Sequence, residues 1–172
     1  MISKRAFCSL LKYTKATNPR VWMTIHDGEN DLGNLEFELY SNHAPQAAEN
    51  FRSLCTIEEG GYAGSTFDTI INGFIAQGGD TGGESIYGER FADENMKLRH
   101  TKRGQLAMAN TGPNSNGTEF YVTFGEASWL NGYNQIFGEM VNGDDVLSKI
   151  EEAGTRDGAP SKTFTISKCG EL

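Results

Sequence analysis

The chain has 172 residues, 21 of them glycine and only 4 proline, which suits one packed core joined by many tight turns and not a disordered or collagenous chain. No apolar run approaches the roughly 20 residues of a membrane-spanning helix, so a soluble domain without a membrane span is expected. The net charge of −8 is uneven: Lys4, Arg5, Lys12, Lys15 and Arg20 put +5 on the first twenty residues, no acid precedes Asp27, and the remainder carries −13. A domain so acidic repels a phosphate backbone, which argues against nucleic acid and for a basic or neutral polypeptide as partner.

The opening segment, "MISKRAFCSLLKYTKATNPR", combines spaced basic residues with serines, threonines and an apolar set of Ile2, Phe7, Leu10 and Leu11. That composition resembles a mitochondrial transit peptide; the alternative is a basic arm on a cytoplasmic protein. Residues 1–20 are therefore set apart from a folded domain at 21–172.

From Val21 the pattern turns to strands. "VWMTI" and "LGNLEFELY" flank the turn-forming "HDGEND" and predict a hairpin. Leu35, Phe37 and Leu39 alternate with Glu36 and Glu38, so one face is expected buried and the other wet. "NHAPQAAENFRSLC" predicts a helix, with Pro45 in its first turn and Ala48, Phe51, Leu54 and Cys55 on one apolar face, ended by "EEGGYAGS". Short strands are expected at 66–70, 74–77, 105–109, 120–123, 136–140 and 164–168. "GDDVLSKIEEAG" predicts a second helix with Asp144 or Asp145 near its start and Gly154 as its stop. Eight short strands with two helices predict a mostly β fold, a closed or nearly closed barrel with helices over its ends.

Cys8, Cys55 and Cys169 are odd in number and widely spaced, and His26, His43 and His100 are scattered. Neither set has metal-ligand spacing or a secreted disulfide pattern, so buried or surface thiols and no metal site are expected.

A series of motifs occurs in one order: "FELY", "APQAAENFRSLC", "GFIAQGGD", "GGESIYGERFADEN", "LAMANTGPNSNGTEFYVT", "WLNGYNQIFGEM" and the closing "CGEL". From about Val21 to Leu172 the chain resembles the cyclophilins. That resemblance implies an eight-stranded antiparallel barrel capped by two α-helices, and peptidyl-prolyl cis–trans isomerisation of proline-containing polypeptide segments, without cofactor or metal. It also implies roles for particular residues. Phe74, Ile75, Tyr121 and Leu130 fall where the family lines a proline pocket, with Ile75 in place of the common Met and Tyr121 in place of Phe. Gln77 falls at the amide that bonds the ligand backbone, Ala109 and Asn110 on the strand edge beside it, and Trp129 on the rim. Thr111 and Asn134 stand where the family often has Ala and His, and Glu119 where it often has Gln.

The reaction needs no nucleophile. Rotation about an amide C–N bond meets a barrier of about 18–20 kcal/mol from resonance. A donor aimed at the prolyl nitrogen favours the twisted, pyramidal form over the planar one. In "FDTIINGFIAQ" Asp68 takes the family's His position and Thr69 that of its catalytic Arg, so no residue is expected as the catalytic donor. "GGDTGGES" is also shorter than in many members. Two expectations stay open: an isomerase of weakened turnover, or a non-catalytic proline-segment binder or subunit of a larger mitochondrial assembly. No motif brings Arg52, Arg90 or Arg103 to the pocket as a substitute.

Overall fold

In a computed structural model, described over residues 17–172, eight strands form a single antiparallel sheet. They are β1 (Arg20–His26), β2 (Asp31–Leu39), β3 (Phe67–Ile71), β4 (Ile75–Gly78), β5 (Gln105–Met108), β6 (Phe120–Thr123), β7 (Ile136–Asn142) and β8 (Thr165–Glu171). Their spatial order is β3-β4-β6-β5-β7-β2-β1-β8. The two end strands meet through the bridge Thr66–Thr165 and the Phe67 N–H donated to Phe164 O at 3.0 Å. The expected barrel is present, with bounds within a few residues of those expected.

Two helices cap it. Helix α1 (Pro45–Thr56) packs on β8, β1 and β7, and α2 (Asp144–Glu152) on β2, β3 and β4. Ala48, Phe51, Leu54 and Cys55 are buried as the helical spacing predicts. Pro45 sits in the first turn, where its missing N–H leaves no bond unmade. Asp144 and Asp145 lie in the first turn of α2 as expected, and the N-cap before them is Gly143, at φ 108°. A Cβ there would lie 2.4 Å from Asn34 O, so only glycine fits.

The pleat sorts side chains onto two faces. Inward, Val21, Met23, Leu35, Phe37, Leu106, Phe120, Val122 and Ile166 close the main core around Phe51 and Tyr62. Leu35, Phe37 and Leu39 are buried as expected, but the reading of Glu38 as wet is corrected: it is 5% exposed, beside Arg20 of β1, with 3.4 Å between Nη2 and Oε1. A strand flanked on both sides shields its outer residues in a way that alternation does not reveal. Asn18 to Arg20, assigned to the arm from sequence, join the domain. Pro19 O accepts the Leu39 N–H at 2.9 Å, and Arg20 O the Leu172 N–H at 2.8 Å. The rest of the basic segment and Cys8 lie outside the described residues. Among the described residues no helix is long and apolar enough to cross a membrane.

Candidate functional site

The register of the sheet builds the site. Thr69 of β3 pairs with Gln77 of β4, Gln77 with Tyr121 of β6, Tyr121 with Ala107 of β5, and Ala107 with Ile136 of β7. Paired residues project to the same side, so these five make one row on the face opposite the main core. The neighbouring row, Ile70, Ala76, Val122 and Leu106, points inward.

On the outer face a second apolar cluster gathers Tyr40, Ile75, Ala107, Tyr121 and Ile136, with Phe74, Leu98, Ala109 and Leu130 packed partly buried against it. The four residues expected in the slot, Phe74, Ile75, Tyr121 and Leu130, therefore meet. A 3₁₀ turn, Ser128–Leu130, carries Trp129 to the rim. Trp129 is 61% exposed, and its ring lies 5.3 Å from that of Phe74 at 47°. An exposed indole resting on a half-buried phenyl is an open apolar lip.

Tyr121 is 3% exposed, and the hydroxyl that distinguishes it from Phe has a partner the sequence reading missed. His100 Nε2 lies 2.7 Å from it, while His100 Nδ1 is 3.1 Å from Asn131 Oδ1. Asn131 Oδ1 also accepts the His100 backbone N–H, so the ring proton sits on Nδ1 and Nε2 accepts from the phenol. Burial raises the Tyr121 pKa far above its ordinary value and lowers that of His100, although the Asn131 bond opposes the latter shift. A buried hydroxyl needs a partner, and that need was the available signal.

The polar residues divide. Asn134 donates from Nδ2 to Met108 O at 3.0 Å, and Asn110 from Nδ2 to Tyr133 O at 2.7 Å. The Thr111 N–H is given to Ser115 Oγ at 2.9 Å. Strand β5 ends at Met108, and Ala109 and Asn110 run on past it; the Ala109 N–H is donated to Glu119 O at 3.1 Å. The expected edge is thus the run-out of a central strand flanked by β6 and β7.

Beside the slot opens a hollow of about 320 Å³, bounded by Gln77, Asp80, Ala109, Asn110, Thr111 and Glu119. Here the electrostatics are unusual. Carboxylate oxygens of Asp68, Asp80 and Glu119 lie within 4.8 Å of one another. Burial and then the charges of Asp68 and Asp80 raise the pKa of Glu119, while a hydrogen bond with Gln77 pulls it down. Asp68 sits in a bulge between Phe67 and Thr69. The sequence reading set Asp68 and Glu119 near the groove; Asp80 completes the trio. Three such oxygens have the spacing of a cation site, but two of the residues are exposed, and exposed acids cluster in this way without an ion.

Of the arginines weighed as substitutes, Arg52 is bound to Glu49 and Glu171, and Arg103 to Asp144 and Glu151. Arg90, which no motif placed here, does reach the hollow's lining. A separate hollow of about 270 Å³ lies against α2, between Asp27, Lys149, Glu152 and Lys162, and none of the expected site residues lines it.

Compared with known families, residues 22–171 match the family model described as cyclophilin type peptidyl-prolyl cis-trans isomerase/CLD.

Proposed function

The chain belongs to the cyclophilin-type peptidyl-prolyl cis-trans isomerase family, and from that membership we propose that its groove holds a prolyl segment while isomerising it weakly. The family binds proline-containing peptides and rotates X–Pro bonds. The observation that carries the proposal is the outer row itself: Gln77 and Tyr121 are in place beside an apolar slot, and the next position in the row is Thr69.

The slot of Phe74, Ile75, Tyr121 and Leu130 takes the proline ring, and Trp129 covers its outer side. Gln77, Ala109 and Asn110 hold the flanking backbone, with Thr111 and Asn134 at the margins. A threonine hydroxyl is neutral and too short to replace a guanidinium at the prolyl nitrogen. A hydrogen bond from a charged donor contributes about 1.5–3 kcal/mol, so its loss slows rotation on the order of tenfold to a few hundredfold. Asp68 and Glu119 add negative charge beside Asp80, at positions where the family has His and often Gln, which favours segments with lysine, arginine or neutral residues beside the proline and disfavours acidic ones.

The same threonine supports a second reading, a proline-segment binder or a subunit of a larger assembly, in which turnover has been given up. The basic, acid-free first twenty residues support a mitochondrial address, with the cytoplasm as alternative.

NMR exchange on X–Pro peptides tests these readings, using the wild type beside Thr69→Arg. Catalysis above solvent exchange that rises at least about tenfold in the variant, and runs faster for lysine-flanked than glutamate-flanked proline, fits the weak isomerase. Solvent-like rates with groove resonances still shifted by the peptide fit the binder. Wild-type turnover unchanged by the arginine, or no peptide contact with the groove, overturns both.

A further inference from the structure

His100 is fully buried and is not one of the apolar residues that form the slot, yet each of its polar atoms is bonded to an element that carries one of them. Its backbone N–H and its Nδ1 both meet Asn131 Oδ1, at 2.7 and 3.1 Å. Its carbonyl accepts the Ala127 N–H at 3.1 Å. Ala127 and Asn131 are the N-cap and C-cap of the Ser128–Leu130 turn. His100 therefore grips both ends of the turn that sets Trp129 on the rim and Leu130 in the slot. The remaining polar atom, Nε2, takes the Tyr121 hydroxyl at 2.7 Å, and the two rings lie 6.0 Å apart at 22°.

We propose that His100 is a positioning residue for prolyl binding: it ties Tyr121 on the floor of the slot to the turn that carries Trp129 and Leu130, so that floor and rim keep one spacing. The inference rests on the reading of the groove as a prolyl-segment site. It also depends on the hydroxyl that this chain carries where Phe is common in the family. A phenyl ring there offers His100 nothing to hold, and the imidazole would then fix the rim alone.

The protonation state suits the role. A neutral imidazole has one donor and one acceptor, and burial disfavours its charged form. Nδ1–H is thus given to Asn131, and Nε2 is left to accept from the phenol. A ring pinned before the ligand arrives has less freedom to lose when proline enters, so the link acts on affinity. His100 touches no reacting atom. Planar and twisted forms of the bound peptide gain equally, and the rate at saturation does not depend on it.

Nitrogen-15 NMR of the histidine side chains in the full chain, with titration by a lysine-flanked X–Pro peptide, tests the inference. The wild type should show a His100 proton on Nδ1 and none on Nε2. Tyr121→Phe should shift the Nε2 resonance and weaken peptide binding about three- to tenfold. Asn131→Ala should weaken binding as well, with the exchange rate at saturating peptide as in the wild type. Both variants break one link, so the double variant should lose less affinity than the product of the two single losses. His100→Gln, whose amide oxygen can accept from the phenol, should bind the peptide more tightly than His100→Leu.

A proton on Nε2, unaltered affinity in Tyr121→Phe, independent effects in the double variant, or a loss confined to the saturated rate would overturn the positioning role while the groove reading stands. A wild type that makes no peptide contact with the groove overturns that reading and this role with it. Tyr121→Phe removes a single oxygen atom and the wild-type nitrogen shifts need no substitution, so a leucine variant that fails to fold does not decide the matter.

Discussion

Glu119 shows how one residue reshapes a groove. Its carboxylate is half-buried, faces Asp68 and Asp80, and holds Gln77, the amide expected to grip a ligand backbone. Its folded pKa lies above the unfolded value, so the folded state binds the proton more tightly. Glu119 therefore favours folding at acidic pH, and that contribution disappears as the pH rises through its folded pKa. Glu119→Gln removes the repulsion and keeps a partner for Gln77. Because the group stays partly open to solvent, the gain is small: an increase in Tm of about 1–3 °C at pH 7. The gain should vanish as the pH falls below the ordinary glutamate range. Thermal melts at pH 7 and at pH 4 check it; an equal gain at both means charge is not the cause.

Helix α1 makes a comparable point among the elements. It begins without a side-chain cap of its own. Glu94, distant in sequence, supplies the cap: Oε2 accepts the Gln46 N–H at 2.9 Å and Oε1 the Ala47 N–H at 2.8 Å. Two free N–H groups and the positive end of the helix dipole meet one carboxylate. Glu94→Ala should destabilise the fold by about 1 kcal/mol, a fall in Tm of about 2–4 °C. An unchanged urea midpoint would show that solvent caps the helix equally well. The motif "GERFADEN" contains Glu94, but nothing local says that it belongs to a helix more than forty residues earlier.

Across the whole molecule, the boundary of the domain is decided by what Asn18, Pro19 and Arg20 touch. Ser41 Oγ donates to Asn18 Oδ1 at 3.1 Å, Pro19 and Arg20 take backbone bonds from Leu39 and Leu172, and Arg20 neighbours the buried Glu38. A chain beginning at Thr17 should melt above one beginning at Val21. Losing several hydrogen bonds and leaving Glu38 unpaired costs about 2–3 kcal/mol, a fall of roughly 5–10 °C. Equal melts would return these residues to the arm.

Strand and helix positions were legible because burial imposes a period on the chain: Leu35, Phe37 and Leu39 alternate, and Ala48, Phe51 and Leu54 recur with helical spacing. The clustering of Phe74, Ile75, Tyr121 and Leu130 was foreshadowed by motifs in order, and Thr69 stands in one of them. Meetings across the sheet were not. Asp68, Asp80 and Glu119 come together, and Tyr121 finds His100, only because a curled sheet brings distant segments side by side. Periodicity is a local consequence of which face meets water, so the linear chain carries it. Electrostatics and buried hydrogen bonds depend on distances through space, and those exist only once the strands have closed.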